Sequence, residues 1–316
     1  MTASHAMVRS TPRPTARAGG RPAVLALALV ALVLSACTPT QVWSWGVNGS
    51  GQLGDGTTTQ RNAPVAADAG WKQVSAATWH TLAVRADGTL WAWGDNANGE
   101  LGDGTTTNRL SPVQIGTATS WASVAAGNLF SVAVRTDGTL WAWGRNEYGQ
   151  LGDGTTTNRS APVQIGSATT WKQAAAGYEH AVAVRTDGTL WGWGHNSTGE
   201  VGDGTTTQRA VPVQVGSATT WSTVAAGDFH SLATRTGGTL WTWGWNADAQ
   251  LGDGTTTNRA APVQVGSATT WKQVAGGEKH SAAVRTDGTL WSWGDNAGGQ
   301  VGDGTTTDRS TPTPVG

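Results

Sequence analysis

The tetrapeptide Trp-x-Trp-Gly begins at Trp43 and returns at Trp91, Trp141, Trp191, Trp241 and Trp291. The first interval is 48 residues and the next four are 50 each. A fixed period of this size means one supersecondary unit stacked on copies of itself. One unit reads WKQVAAGxxHSxAVRTDGTLWAWGxNxxGQLGDGTTTxRxxPVQVGSATT. The chain has 45 Gly and 19 Trp, which points to short strands joined by many turns, not to helical pairs. Charged residues make up only 13%, but a chain so rich in Trp is packed and not disordered.

Each unit divides into four short strands, here called A to D. In one copy they are expected at 172–176, 181–185, 189–193 and 213–215. Asp-Gly between B and C predicts a two-residue type I′ hairpin. In strand C, Trp191 and Trp193 are two apart and share a face. Strand B is apolar on both faces, as suits a sheet covered on both sides. Strand A is rich in Ala and Gly, which fits crowding at an axis. Strand D follows a Pro in each copy (Pro64, Pro112, Pro162, Pro212, Pro262, Pro312) and is therefore the outer edge, where no ladder donor is required. The expected fold is an all-β β-propeller of four-stranded antiparallel blades. In such a meander the A–B and C–D loops share one face, called upper here. The Asp-Gly turns and the GSATT links share the other.

The segment GxxHSxAVRTDGTLWAWGxNxxGQLG resembles the repeat of the regulator-of-chromosome-condensation family, over nearly all of residues 41–316. The resemblance implies a propeller, normally of seven blades. The family includes a nuclear exchange factor for a small GTPase, a plant ultraviolet-B photoreceptor and a secreted bacterial inhibitor of beta-lactamase. This chain has six C–D halves and five A–B halves, so about six blade positions are expected, one of them half-complete. The ring then closes with a gap, stays open, or is completed by a second copy as a homodimer. The even spacing leaves no room for the exchange factor's wedge-like insertion, which argues against nucleotide exchange. The photoreceptor's Trp directly after the Gly of GxxH is replaced by Asn128, Tyr178, Asp228 or Glu278, and Trp79 comes one residue later.

The first 36 residues read as a signal peptide. Arg9, Arg13, Arg17 and Arg21 precede an apolar run at 23–34, which is too short to span a bilayer as a helix. Leu34-Ser35-Ala36-Cys37 resembles a lipobox, which implies cleavage before Cys37 and lipidation of its thiol. Residues 37–40 would form a short tether and 41–316 the propeller domain. The expected location is extracytoplasmic, lipid-anchored to the outer face of a membrane in the bacterial cell envelope, or secreted if Cys37 is not lipidated. Cys37 is the single Cys, so no intrachain disulfide forms. Without its four leader Arg the chain falls from a net charge of −1 to −5, which does not suit a nucleic-acid partner.

LGDGTTT and VGDGTTT recur in six copies. The loop lacks the Lys-Ser/Thr pair of a phosphate loop and the alternating oxygens of a calcium loop. It reads as a turn, with its Asp satisfying backbone N–H groups and an Arg six residues on as a repeated ion-pair partner. His80, His180, His230 and His280 fall at one repeat position that Phe130 fills in another copy, which suggests packing. A catalytic constellation is singular. No enzyme activity, cofactor or metal site is expected.

Where the copies differ, they differ on the upper face, at the two residues after AAG and around the Asn that follows WG. These positions nominate Trp79, Arg145, Tyr148, Tyr178, Glu179, Asp228, Phe229, Trp245, Glu278 and Lys279 as a partner-binding face. Aromatic residues with Arg are typical interface anchors. The expected role is a membrane-anchored, non-catalytic protein-interaction scaffold. The alternatives are an inhibitor of an extracytoplasmic enzyme and a carbohydrate-binding module.

Overall fold

The structure, a computed structural model, describes residues 41–316; the leader, Cys37 and the tether lie outside the described residues. Every regular element described is a strand. Five four-stranded antiparallel sheets follow one two-stranded sheet in chain order. The two-stranded sheet pairs Gln41–Gly46 with Arg61–Ala69 and is the half-blade, blade 1. Blades 2 to 6 occupy 71–114, 121–164, 171–214, 221–264 and 271–314. The single half-complete blade expected from the repeat count is present as the two-stranded sheet.

In blade 4 the strands are Trp171–Ala176, His180–Arg185, Leu190–Gly194 and Arg209–Gln214, paired in that order. The A strands of neighbouring blades touch one another, so A is innermost and D is the free outer edge. Strand B is buried along nearly its whole length, as its two-sided apolar pattern requires.

Two expectations are corrected. The B–C turn is not type I′. In blade 3 only Gly138 has positive φ, at 76°, and the Gly138 N–H donates to Arg135 C=O at 2.9 Å. This is a type I turn followed by a left-handed Gly, and Asp137 secures it by accepting from the Thr139 N–H and Oγ1. Strand D also begins earlier, at Arg209, and Pro212 lies inside it. Pairing jumps from Gly194↔Arg209 to Gly192↔Val213, so an irregularity absorbs the Pro on an edge that asks for no donor.

Blades meet at seams built from the same parts. The second Trp of strand C in blades 2 to 6 donates its Nε1–H to a carbonyl of the preceding blade at 2.8–3.0 Å. Trp193, for example, bonds Gln150 C=O. Gly102, with φ of 81°, lies so close to Trp143 that a Cβ there would sit 2.7 Å from the indole nitrogen. This close approach explains why the loop keeps Gly at that position. On the lower rim the Arg that ends strand B is sandwiched between two Trp rings of its own blade, 3.9–4.8 Å from each centroid. Each such pair adds about 0.5–2 kcal/mol to the burial of the rings.

The last blade ends the arc. Gly138, Gly188 and Gly238 abut the backbone of the following blade, whereas Gly288 and Gly299 meet nothing. Leu290 is partly exposed although Leu90, Leu140 and Leu190 are fully buried. At the other end Trp43 of the half-blade is 50% exposed. The described ring is therefore open.

Candidate protein-interaction face

The six LGDGTTT-type loops are built around an Asn. Asn146 is fully buried and its Nδ2 donates toward Asp153 Oδ1 and the carbonyls of Thr155 and Thr157, all at 3.1 Å. Its Oδ1 accepts the Leu151 N–H at 3.0 Å. Asp153 in turn accepts from the Thr155 N–H and Oγ1 and pairs with Arg159. The same Asp–Arg pair recurs in all six loops at 2.5–2.7 Å. Burial alone would raise the Asp153 carboxyl, but bonds from Thr155 and Arg159 outweigh it and hold it low. With its donors and acceptors consumed internally, the loop is a scaffold that holds its neighbours in place.

The recurring His are also architectural. His80, His180 and His230 reach across a seam through Nε2 to Ser131, Ser231 and Ser281 at 2.8–2.9 Å. Each of these Ser donates onward to a carbonyl of the preceding blade, so the His must supply the proton from Nε2. Burial pushes His80 and His230 down to about 3, which keeps them neutral. Phe130 fills the slot in the copy whose partner position is Ala181 instead of Ser. Polar meets polar, and apolar meets apolar.

Above this layer the two variable sets come together. In every full blade the backbone N–H of the residue after WG donates to the carbonyl of the second A–B loop residue. The pairs are Asp95 with Trp79, Arg145 with Leu129, His195 with Glu179, Trp245 with Phe229 and Asp295 with Lys279, at 2.8–3.0 Å. The first loop residue lies closer to the axis, and these residues link blade to blade: Tyr178 N–H donates to Asp228 C=O at 3.0 Å.

Side chains then join across the seams. Arg145 bridges Glu147 at 2.5 Å and Glu179 of the next blade at 2.9 Å, and it lies 5.8 Å from the Tyr148 ring. Tyr148 meets His195 edge-on at 5.1 Å. His195 Nδ1 donates to the buried Glu200 at 3.1 Å, and this bond raises the His195 pKa. Glu200 is burdened by burial but is carried down to about 2 by the His195 bond and its neighbours. Further round, Tyr178 packs on Phe229 at 5.1 Å, and Phe229 meets Trp245 at 6.1 Å with rings perpendicular. Lys279 lies 5.3 Å above the Trp245 ring and 3.5 Å from Asp248.

Tandem β units with this seam geometry identify the lineage. A model of the RCC1-like domain matches residues 9–316. The chain belongs to the RCC1-like domain family. Human WBSCR16 superposes with a TM-score of 0.79 at 23% identity, covering 100% of this chain and 94% of that one. Yeast Prp20p, from Saccharomyces cerevisiae, superposes at 0.65 with 20% identity, covering 89% and 87%. Yeast RCC1 (Prp20) in its Kap60 complex superposes at 0.66 with 18% identity, covering 97% and 91%. No curated protein matches the sequence. At these identities the likeness is one of fold.

The nominated residues Arg145, Tyr148, Tyr178, Glu179, Asp228, Phe229, Trp245, Glu278 and Lys279 fall in blades 3 to 6, and Trp79 stands in blade 2. Glu179 is mostly buried as the partner of Arg145, so it positions that side chain. Glu200 was not nominated, because its slot alternates with Gln in other copies and reads as loop filler. The pairing of His195 five residues before it was the signal that could have found it.

Proposed function

We propose that this RCC1-like propeller is a non-catalytic scaffold that binds another protein through its upper face and is held outside the cytoplasmic membrane by a lipid on Cys37. One observation carries the reading. Positions that vary between otherwise near-identical units converge on one face, where Tyr178, Phe229 and Trp245 form a continuous aromatic run across the seam between blades 4 and 5. Drift at loop tips scatters small polar residues and does not assemble contiguous aromatic contacts. Phe229 and Trp245 meet with their rings perpendicular and so do not offer the coplanar platform on which a flat sugar ring stacks.

Strand direction supports the proposed mounting. Gln41 pairs with Ala69 at the lower rim, so an anchor just before it leaves the upper face pointing away from the attachment surface.

Replacing Trp79, Tyr178, Phe229 and Trp245 together by Ala is expected to abolish capture of a partner from the native envelope while the protein still melts cooperatively. Undiminished capture would refute the proposal. The intact mass of the mature protein tests lipidation at Cys37 separately.

A further inference from the structure

Charge is divided between the two faces. Beyond residue 40 the six loop Asp are matched by six loop Arg. The lower rim holds five hairpin Arg and three Lys against five Asp. The upper face is left with Arg145 and Lys279 against ten carboxylic acids.

The upper face also repeats one combination: an acid, an aromatic ring and a cation. Arg145 completes it with Glu147, Glu179 and Tyr148. Lys279 completes it with Asp248 and Trp245. Between these two lies a third set, Asp228 with Tyr178 and Phe229, that has the acid and the rings but no cation. Asp228 is half-buried, and its carboxylate has no hydrogen-bond or ion-pair partner among the described residues. Its backbone is fixed on both sides, accepting from Tyr178 N–H and donating to Gly277 C=O. Glu278 of the next blade adds a second negative charge nearby. A half-buried carboxylate without a partner is a cost to the fold, and one carried on a backbone fixed between Tyr178 and Phe229 is prearranged for an ammonium or guanidinium.

We propose that the upper face receives a lysine or arginine side chain of its protein partner, with Asp228 as counter-charge and Tyr178 and Phe229 as the aromatic wall. This rests on the reading of the upper face as a protein-binding surface. It specifies the partner's chemistry: a basic segment that supplies the missing cation. Long-range attraction from the acidic face speeds the encounter, and the single site fixes the register.

The test uses fluorescein-labelled octa-lysine and octa-arginine at 0.15 M salt, read by anisotropy on the full mature chain, with octa-glutamate as control. The wild type is expected to bind both basic peptides and not octa-glutamate. Asp228→Asn should weaken binding about tenfold, the scale of one desolvated charge contact. Tyr178→Leu keeps every charge and should weaken it severalfold. Asp308→Asn removes a charge from the same face, and Asn is what other units carry there (Asn108, Asn158, Asn258), so it should change binding less than twofold. Equal effects of Asp228→Asn and Asp308→Asn would mean diffuse attraction only and would overturn the site. So would equal binding of octa-glutamate, or no binding of the basic peptides. If the peptides fail while envelope capture still depends on the four aromatic residues, the protein-binding reading stands and the cationic assignment falls.

Discussion

Asn146→Asp is the sharpest test of how the loops are held. The substitution is isosteric and changes one NH2 to an oxygen. That NH2 faces three acceptors at 3.1 Å: Asp153 Oδ1, Thr155 C=O and Thr157 C=O. Two good hydrogen bonds are lost, at about 1 kcal/mol each, and acceptors are left facing a like oxygen in a fully buried position. The contact with the Asp153 carboxylate turns repulsive, or one acid must take up a proton. A local cost of about 3–4 kcal/mol follows. Because blades couple mainly to their neighbours, the loss should stay local. Amide hydrogen exchange reads it directly. Opening of the Thr155 N–H, which donates to Asp153, should become roughly a hundredfold more frequent or greater. The equivalent Thr255 N–H, two blades away, should hardly change. Unchanged protection at Thr155, or equal loss at both sites, would refute the idea that each Asn organises its own loop.

Three further outcomes are expected. Phe130→His should destabilise by leaving a buried imidazole N–H unpaired, and adding Ala181→Ser should recover about 1–2 kcal/mol in a double-mutant cycle followed by urea unfolding. Ala249 has a left-handed φ of 59° where the five other units carry Gly, so Ala249→Gly should raise stability by about 0.5–1 kcal/mol in the same assay. Burial and the charge of Glu278 raise Asp228 from 3.8 to about 7. The folded state therefore holds a proton that the unfolded chain has lost across that window, and its stability falls as pH rises from about 4 to 7. Asp228→Asn should gain on the wild type between pH 5 and pH 8, by up to about 1.4 kcal/mol per unit crossed; equal urea midpoint differences at the two pH values would contradict this.

The propeller was legible in the sequence because its signals are local and repeated. Alternating Trp191 and Trp193, the small strand A and the edge Pro each constrain one strand. The turn type was not legible, since Asp-Gly fits two turn geometries and only the φ of Asp137 distinguishes them. The variable face could be nominated because strand direction alone decides which loops share a side. The contacts within it could not. Arg145 meets Glu179 across 34 residues of chain, and Trp193 meets Gln150 across 43, through a seam whose geometry no single unit contains. The match of His with Ser and of Phe130 with Ala181 was present in the sequence, but it becomes visible only when one unit is compared with the next.

The seams carry one last consequence. Their bonds join residues a fixed distance apart along the chain: 51 for His80 with Ser131, His180 with Ser231 and His230 with Ser281, and 43 for most of the Trp contacts. Excising or duplicating one whole period would join half of one seam to the matching half of another. A closed ring would resist such a change, because its circumference is set by blade number. An open arc has no circumference to satisfy. This architecture can therefore change length in steps of one unit by recombination between its own copies, while each upper-face residue travels intact with its blade.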